Sequence, residues 1–595
     1  MKLTQRQVAE HATFQNFANC YVREISPGRV TQHRLGTDDP VDCIELVLAA
    51  QQLVLRAELV SHSLCGPHRF GKVWQRQRRA TEGGWRHVEP FAALQLLLQE
   101  AYRQLHDERG DAMRGCELEL LGRALQSYQQ TLRYIEAHRP GEDDDSFIAA
   151  EQSLVFGHSL HPTPKSRQGM TSWQEPSYAP ELRGNFQLVY FAADASVVSH
   201  KSAAAESAPE IVASLTGGAD LGLRPGEIPL PMHPLQAEAL LLDDGIRALQ
   251  AARKLRLVGP AGPTFTATSS VRTVYSEGLP WMLKFSVPVR ITNSLRVNSR
   301  KELEAGVAMA KLLQRTGIGS DDGRFKLIAD PAYITLDLPG RSESGFEVIL
   351  RENPFVTCKG RGKITIAALT AEPLPGEQSR LERIIRTICL RDGTHPELVC
   401  RHWFQRYLDC ALDPLVMLYD DFGLALEAHQ QNSLVDVSQG YPTAGYYRDN
   451  QGFYLSKRHR ARLSQHVPEA AEIASLYYDD RDIQDRFAYY LIVNQIFSVI
   501  ARMGHDGLID EVVLLHMLRD RLEVLSRTTS GVGREFVRSL LDRPTVAFKA
   551  NLMTRLFDVD ELQTSNERSL YARFPNPLFA AIAGLYHGDG SALAS

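Results

Sequence analysis

The 595-residue chain carries 66 Lys+Arg against 71 Asp+Glu, a formal charge of −5, with 44 % apolar and 23 % charged residues. At roughly 100–200 residues per domain, that length predicts about three or four units with room for a substrate cleft between them. Balanced charge without a Lys/Arg run speaks against nucleic acid, no stretch reaches the ~18 apolar residues of a membrane span, and the start, Met1 to Gln7, has no apolar run resembling a signal peptide, so a cytosolic protein is expected.

The eight cysteines are scattered without a C-x-x-C pair, which predicts reduced thiols used as small core hydrophobes. Residues 1 to about 155 read as mostly helical, from apolar groups at helical spacing in Ile44–Leu48, Phe91–Leu98 and Leu120–Leu125. The acidic Gly141–Asp145 reads as a solvated break or the start of the next helix, and no chemistry is assigned to this region.

From about 156 to 355, short apolar runs between Gly, Pro and Ser predict strands. In Trp281–Thr292, Leu283, Phe285, Val287, Val289 and Ile291 fall on one face and Lys284, Ser286, Arg290 and Thr292 on the other. Pro288 would lack a ladder donor, which places this strand at an edge or a bulge. Phe346–Arg351 repeats the alternation and ends in a charge, so a sheet with one apolar and one polar face is expected. Beyond about 375 helical spacing returns, through Trp403, Phe404, Tyr407, Leu408, Ala411, Leu415 and Leu418, and again from Phe487 to Ile500.

Four polar segments could carry chemistry, and none is a common nucleotide loop, zincin or serine-hydrolase motif; Lys359–Ile364 lacks the first glycine and the hydroxyl of a phosphate-binding loop. The first, Gly157–Gly169, holds His158, His161, Lys165 and Arg167 between prolines and suits an anion, or else is a solvated basic loop. The second joins Thr268–Thr273, Lys284 and Thr292–Arg296, with hydroxyls and cations suited to phosphate or carboxylate oxygens; a Thr-rich exposed face explains the hydroxyls but not Lys284 between Leu283 and Phe285. The third is Gly423–Val435 followed by Tyr446–Gly452, where Asn432 and the later Asp449 follow in type and order the magnesium ligands of protein kinases. The fourth is Arg486 and Asn494 in a late helix with Lys549–Arg555 near the end, which read equally as ordinary exposed polar groups. Such a set, rich in cations and amides and poor in nucleophiles, clamps a polyanion and supports electrostatic catalysis.

At these residues the chain resembles the siderophore synthetases that work independently of non-ribosomal peptide synthetases, the aerobactin-synthetase family. The likeness runs from Glu10–Thr13 and Asn19–Glu24 through His158–Gly169, Met232–Ala237, Ser270–Thr273, Arg290–Arg296 and Glu427–Asn432 to Lys549–Leu552. Thr163–Gly169 and Arg448–Gly452 resemble most the citrate:spermidine ligases of petrobactin synthesis.

The resemblance implies a mixed α+β fold shaped as a cupped hand with a distantly kinase-like ATP cleft. Its parts would be a helical thumb (1–155), β-containing fingers with an antiparallel sheet (156–374) and a mainly helical palm (375–595), usually paired as a homodimer. It implies Mg²⁺- and ATP-dependent adenylation of citrate, with loss of pyrophosphate, and capture of the citryl adenylate by a primary amine or polyamine, with loss of AMP. Carried over by position, Ser270, Arg272, Thr273, Lys284, Arg296 and His161 would hold the ATP phosphates and the reacting carboxylate, with Lys165 and Arg167 adding charge. Glu427, Gln431 and Asp449 would face nucleotide and magnesium, Asp449 and Glu427 as metal ligands. Thr292, Asn293, His429, Asn432, Arg486 and Lys549 would line the citrate side, with His161, Lys284, Arg296 and His429 closest to the reaction. His158-Ser159 departs from the more usual His-Pro, which favours His161 over His158.

Citrate carries about three negative charges and ATP about four, and unit charges 4 Å apart interact by roughly 4 kcal/mol at an effective dielectric near 20, so several cations must converge. For the amine, Asp479, Asp480 and Glu181 are candidate carboxylates. Two other readings remain: a kinase-like phosphotransferase releasing ADP, and a citrate- or siderophore-binding protein without catalysis.

Overall fold

The computed structural model describes residues 3–34, 39–79, 84–109, 113–139, 145–317, 323–449, 452–560 and 570–580. Gly141–Asp144 of the acidic break and Asn450–Gln451 of the third polar segment lie outside them. Helices and sheets are mixed throughout, around three main cores.

The first core joins the helix Gln5–Glu24 to a five-stranded antiparallel sheet spanning Arg29–Val88 and to the helices Pro90–Arg109 and Arg114–Ala137. The helical expectation for this region fails across the five strands between Arg29 and Val88, including Ile44–Leu48, which belongs to the strand Val41–Leu48 paired with Leu53–Ser61. A five-residue apolar run fits either period, and the β-branched Val41, Ile44 and Val47 favour the pleat. Leu552 and Leu556, from the short helix Asn551–Leu556, complete this core. Glu24 caps that helix, accepting from the backbone N–H of Leu552 (3.0 Å) and Met553 (2.8 Å). Burial nevertheless pushes the Glu24 carboxyl up to about 7.

The second core fills an eight-stranded antiparallel sheet in which Trp281–Phe285 is central, hydrogen-bonded to Thr273–Tyr275 on one side and Val348–Glu352 on the other. It is therefore neither an edge nor a strand running on to Thr292. It stops at Phe285, ahead of Pro288, and Arg290–Ile291 joins a separate small sheet with Arg167–Gln168 and Ser294–Leu295. The polar face is buried as well: Leu283 and Phe285 enter this core, Met282 packs with Phe147, Tyr275 and Phe355, and Lys284 is 2 % exposed.

The third core is mainly helical. The 403–418 periodicity belongs to two helices, Pro396–Ala411 and Asp413–Phe422, divided where Pro414 cannot continue the backbone ladder. The late helix is likewise divided: between Asp480–Phe487 and Phe497–His505, residues Ala488–Ile496 are wound as a π-helix, a form concentrated at functional sites. A four-stranded sheet containing Phe325–Ile328, Ala444–Arg448, Ser433–Asp436 and Lys363–Thr365 lies beside it. All eight cysteines are unpaired; Cys358 is exposed rather than a core residue, and Cys116 and Cys389 are half-buried.

Candidate active site

Every residue assigned to ATP, magnesium or citrate from the sequence lines one cavity of about 1030 Å³ between these cores. The segment Thr268–Thr273 is a tight turn leading into the Thr273–Tyr275 strand: the N–H and Oγ1 of Thr268 both donate to the Thr273 carbonyl, and Ser270 Oγ accepts from the Thr273 N–H (3.1 Å). Val271 sits at φ +68°, a strained conformation for a β-branched residue; Thr292 (φ +54°) and Asp449 (φ +127°) share the left-handed region in the same cavity. Such strain persists where the surrounding structure over-determines the backbone, as at ligand clamps.

On one side of the cavity, register places Thr273 opposite Lys284, whose Nζ lies 2.5 Å from Asp449 Oδ1. Arg351 stands 3.5 Å from the same carboxylate and forms a two-pronged pair with Asp330 at 2.6 and 2.8 Å. Burial pushes the Lys284 ammonium down to about 8, with Asp449 opposing the shift and Arg272 and Arg351 adding to it. Burial works against the Asp449 charge, but Lys284 and Arg351 hold its carboxyl well below the usual range. Arg272 is fixed by the Val297 carbonyl and Asn298 Oδ1, both at 2.9 Å.

Asn432 and Asp449 approach through the antiparallel pairing of Ser433–Asp436 with Ala444–Arg448, where the Arg448 N–H donates to the Asn432 carbonyl. Arg448 pairs with Glu151 and not with its neighbour Asp449. Glu427 accepts from Tyr454 OH (3.2 Å) and faces His429 Nε2 at 3.9 Å, and burial raises its carboxyl. Among the described residues no three His, Cys, Asp or Glu side chains gather as a metal cage. Two oxygen donors, Glu427 and Asp449, fit magnesium completed by phosphate oxygens.

On the other side, His161 Nδ1 accepts from the Thr163 N–H, so Nε2 carries the proton and donates to Asn293 Oδ1 (3.0 Å); Asn293 Nδ2 donates to Asn551 Oδ1 (3.0 Å). Burial lowers His161 far below its usual range and takes His429 down to about 3, so both imidazoles are neutral near pH 7. Arg296 donates to the Ile291 carbonyl (3.1 Å) and Thr292 Oγ1 (2.8 Å). Arg486 lies over the rings of Tyr478 and Tyr454, and Lys549 ends the strand Thr545–Lys549.

Lys165 and Arg167 do not present open charge to a nucleotide. Lys165 Nζ is 2.5 Å from Glu181, Arg167 reaches both Glu181 oxygens at 2.8 Å, and all three are buried, because a buried cation needs an opposing charge. Glu181 is thereby matched too and is no seat for an amine. Asp479 and Asp480 pair with Lys457 and Arg458 and do not line the cavity. His158 does line it, with Nε2 3.0 Å from Asn494 Nδ2. Sequence reasoning missed Glu151, Asp330 and the tyrosines 454, 490 and 571; only the charge ending Phe346–Arg351 hinted at Arg351.

Residues 146–371 match the IucA / IucC family, and residues 401–564 match the family described as ferric iron reductase FhuF-like transporter. The spermidine-citrate ligase of Bacillus anthracis is 37 % identical, over 97 % of this chain and 99 % of that protein. The chain belongs to the IucA / IucC family. A further relative, the N(2)-citryl-N(6)-acetyl-N(6)-hydroxylysine synthase of Escherichia coli, is 30 % identical over 77 % of the chain and 81 % of its own length. Among solved IucA / IucC structures, ATP-bound aerobactin synthetase IucA from a hypervirulent pathotype of Klebsiella pneumoniae superposes with a TM-score of 0.86 at 25 % identity, covering 95 % of this chain and 99 % of that one. No described helix is long and apolar enough to cross a membrane.

Proposed function

We propose that the protein is a cytosolic ligase of siderophore biosynthesis that adenylates a citrate carboxylate with Mg-ATP and passes the citryl group to a primary amine, a polyamine such as spermidine being favoured. The observation that carries this reading is the convergence on one cavity of Arg272, Lys284, Arg296, Arg486 and Lys549 with neutral imidazoles and amides. The names of two relatives, a spermidine-citrate ligase and a citryl-hydroxylysine synthase, support the acid and the acceptor.

In the first step a citrate carboxylate oxygen attacks the α-phosphorus, forming a C–O–P linkage as the bond to pyrophosphate breaks. Lys284, Arg272, Ser270 and Thr273 offset charge on the phosphates, and Arg296 with Thr292 orients the carboxylate. Glu427 and Asp449 would hold magnesium, which when bound would supply positive charge beside the phosphates. Gln431 faces the nucleotide. His161, Asn293, His429, Asn432, Arg486 and Lys549 hold the remaining citrate groups; a neutral imidazole can donate a hydrogen bond to a carboxylate without surrendering a proton. In the second step the amine nitrogen attacks the acyl carbon, the C–O bond to AMP breaks, and the nitrogen loses its proton. All reacting atoms belong to substrates, so no enzyme nucleophile is required.

The same reading takes residues 1–155, 156–374 and 375–595 as thumb, fingers and palm of a cupped hand with a distantly kinase-like ATP cleft, working as a homodimer. Incubation with Mg-ATP, citrate and a panel of amines is expected to yield AMP, pyrophosphate and a citryl amide detectable by mass. ADP as the sole nucleotide product would instead support phosphoryl transfer, which the Lys284–Asp449 pair on facing elements also suits. Citrate binding without ATP turnover would support a binding protein.

A further inference from the structure

The short helix Phe147–Gln152 carries no residue that the sequence marks for chemistry, yet its Glu151 stands behind the phosphate side of the cleft. The side chain has no solvent exposure and does not line the cavity. Its Oε2 accepts from both the N–H (3.0 Å) and Oγ (2.7 Å) of Ser269, and both carboxylate oxygens accept from Arg448 Nη2, at 2.8 and 3.0 Å. The two partners are themselves joined: Ser269 Oγ accepts from Gln431 Nε2 (3.1 Å), and Arg448 Nη2 donates to the Gln431 carbonyl (2.9 Å).

Two cleft segments therefore meet at one carboxylate, and a third is bonded to both of its partners. Ser269 precedes Ser270, Arg272 and Thr273; Gln431 lies between His429 and Asn432; Arg448 precedes Asp449. Gln152 adds a tie to the end of the strand Leu255–Ala267 that leads into the same turn, its Nε2 donating to Thr266 Oγ1 (2.8 Å). Ser146 caps the helix, and Phe147 anchors it by stacking on Phe355. The charge is needed because Arg448, 3 % exposed, would otherwise be a buried cation without an anion.

We propose that Glu151 is a positioning residue for nucleotide chemistry, fixing the Ser269–Thr273 turn, the Gln431–Asn432 loop and the strand end at Asp449 in the mutual arrangement that Mg-ATP requires. It acts through Ser269 and Arg448 and touches no substrate. This rests on the nucleotide reading above.

The test compares wild type, E151Q, E151D and the double variant E151Q/R448M by pyrophosphate-release kinetics, by calorimetric binding of Mg-ATP and of citrate, and by thermal unfolding. E151Q is expected to lose about 100-fold in kcat/KM for ATP, the scale of a misplacement of about 1 Å, while binding citrate as wild type does. E151D, which keeps the charge, recovers part of the loss. In E151Q/R448M both buried charges are gone, so the unfolding midpoint returns to that of wild type while the ATP deficit stays. Normal ATP kinetics in a folded E151Q would overturn the proposal. So would recovery of ATP kinetics in the double variant, or failure of both E151Q and the double variant to fold, since either makes Glu151 scaffold only. Wild-type protein that binds no Mg-ATP would instead remove the nucleotide reading, and this inference with it.

Discussion

Around Lys284 the protein sets charge against charge: Lys284 and Arg351 meet Asp449 and Asp330, and Arg448 meets Glu151. Around His161 it sets neutral imidazole against amide, in the chain from His161 through Asn293 to Asn551. The two materials suit different ligands. In the proposed function the Lys284 side would receive Mg-ATP, where phosphates could replace Asp449 as the partner of Lys284 and leave that carboxylate to a cation, so that few charges would be uncompensated. The proposed function gives the His161 side to citrate, whose carboxylates would meet neutral donors there and draw their attraction from the cations Arg296, Arg486 and Lys549 of the same cavity.

The sharpest test of that contrast is stability. Arg351→Ala breaks a buried ion pair and leaves Asp330 without its guanidinium, an expected cost of about 3–5 kcal/mol in urea unfolding, whereas Asn293→Ala removes neutral partners and should cost about 1–3 kcal/mol. Equal losses would abolish the distinction between the two sides. Next in size, Arg296→Ala is expected to lower kcat/KM for citrate about ten- to a hundredfold, equivalent to ~1.5–3 kcal/mol, with an unchanged melting temperature. Near-normal turnover at low citrate would show that Arg296 does not hold the acid.

Asp449→Asn should raise the magnesium needed at fixed ATP by about tenfold, since an amide brings no charge to the metal, and should leave citrate binding intact. An unchanged magnesium titration would refute the ligand role. A separate effect lies away from both sides, at Glu24, whose carboxyl is pushed by burial up to about 7 from an ordinary 4.5. Between those values the folded state holds the proton and the unfolded state has lost it, so stability falls as pH rises, by at most about 1.4 kcal/mol per pH unit. Glu24→Gln should flatten that slope in unfolding experiments run from pH 4.5 to 7, and a slope that persists would assign it elsewhere.

The chemistry was more legible than the architecture. Lys284 between Leu283 and Phe285 is an anomaly a sequence displays openly, and its explanation is a central strand with both faces covered. Asn432 and Asp449 could be paired because a hairpin returns the chain within reach. Lys165 and Arg167 misled because a sequence shows a charge but not its partner, and Glu181 matches both. The run Ile44–Leu48 was too short for its period to decide between helix and strand. Glu151 left no trace, because an acid in a short helix acquires meaning only when segments more than a hundred residues away close around it. The division of Trp281–Thr292 at Pro288 was half visible: the proline marked the break, but an edge and an ending look alike in sequence.

The cap that Glu24 places on Asn551–Leu556 bears on how the molecule is made. Lys549 lies just ahead of that helix, and Leu552 and Leu556 fill a core whose other members all come from residues 14–124. During synthesis the first core emerges early with an apolar gap on its surface, and the gap stays open until residues near 550 leave the ribosome. Contacts of such long sequence separation form slowly. The side of the cleft that Lys549 and Asn551 line is therefore the last part to be assembled, and a chain cut short before Lys549 would lose both the cleft cation and the plug that covers its own N-terminal core.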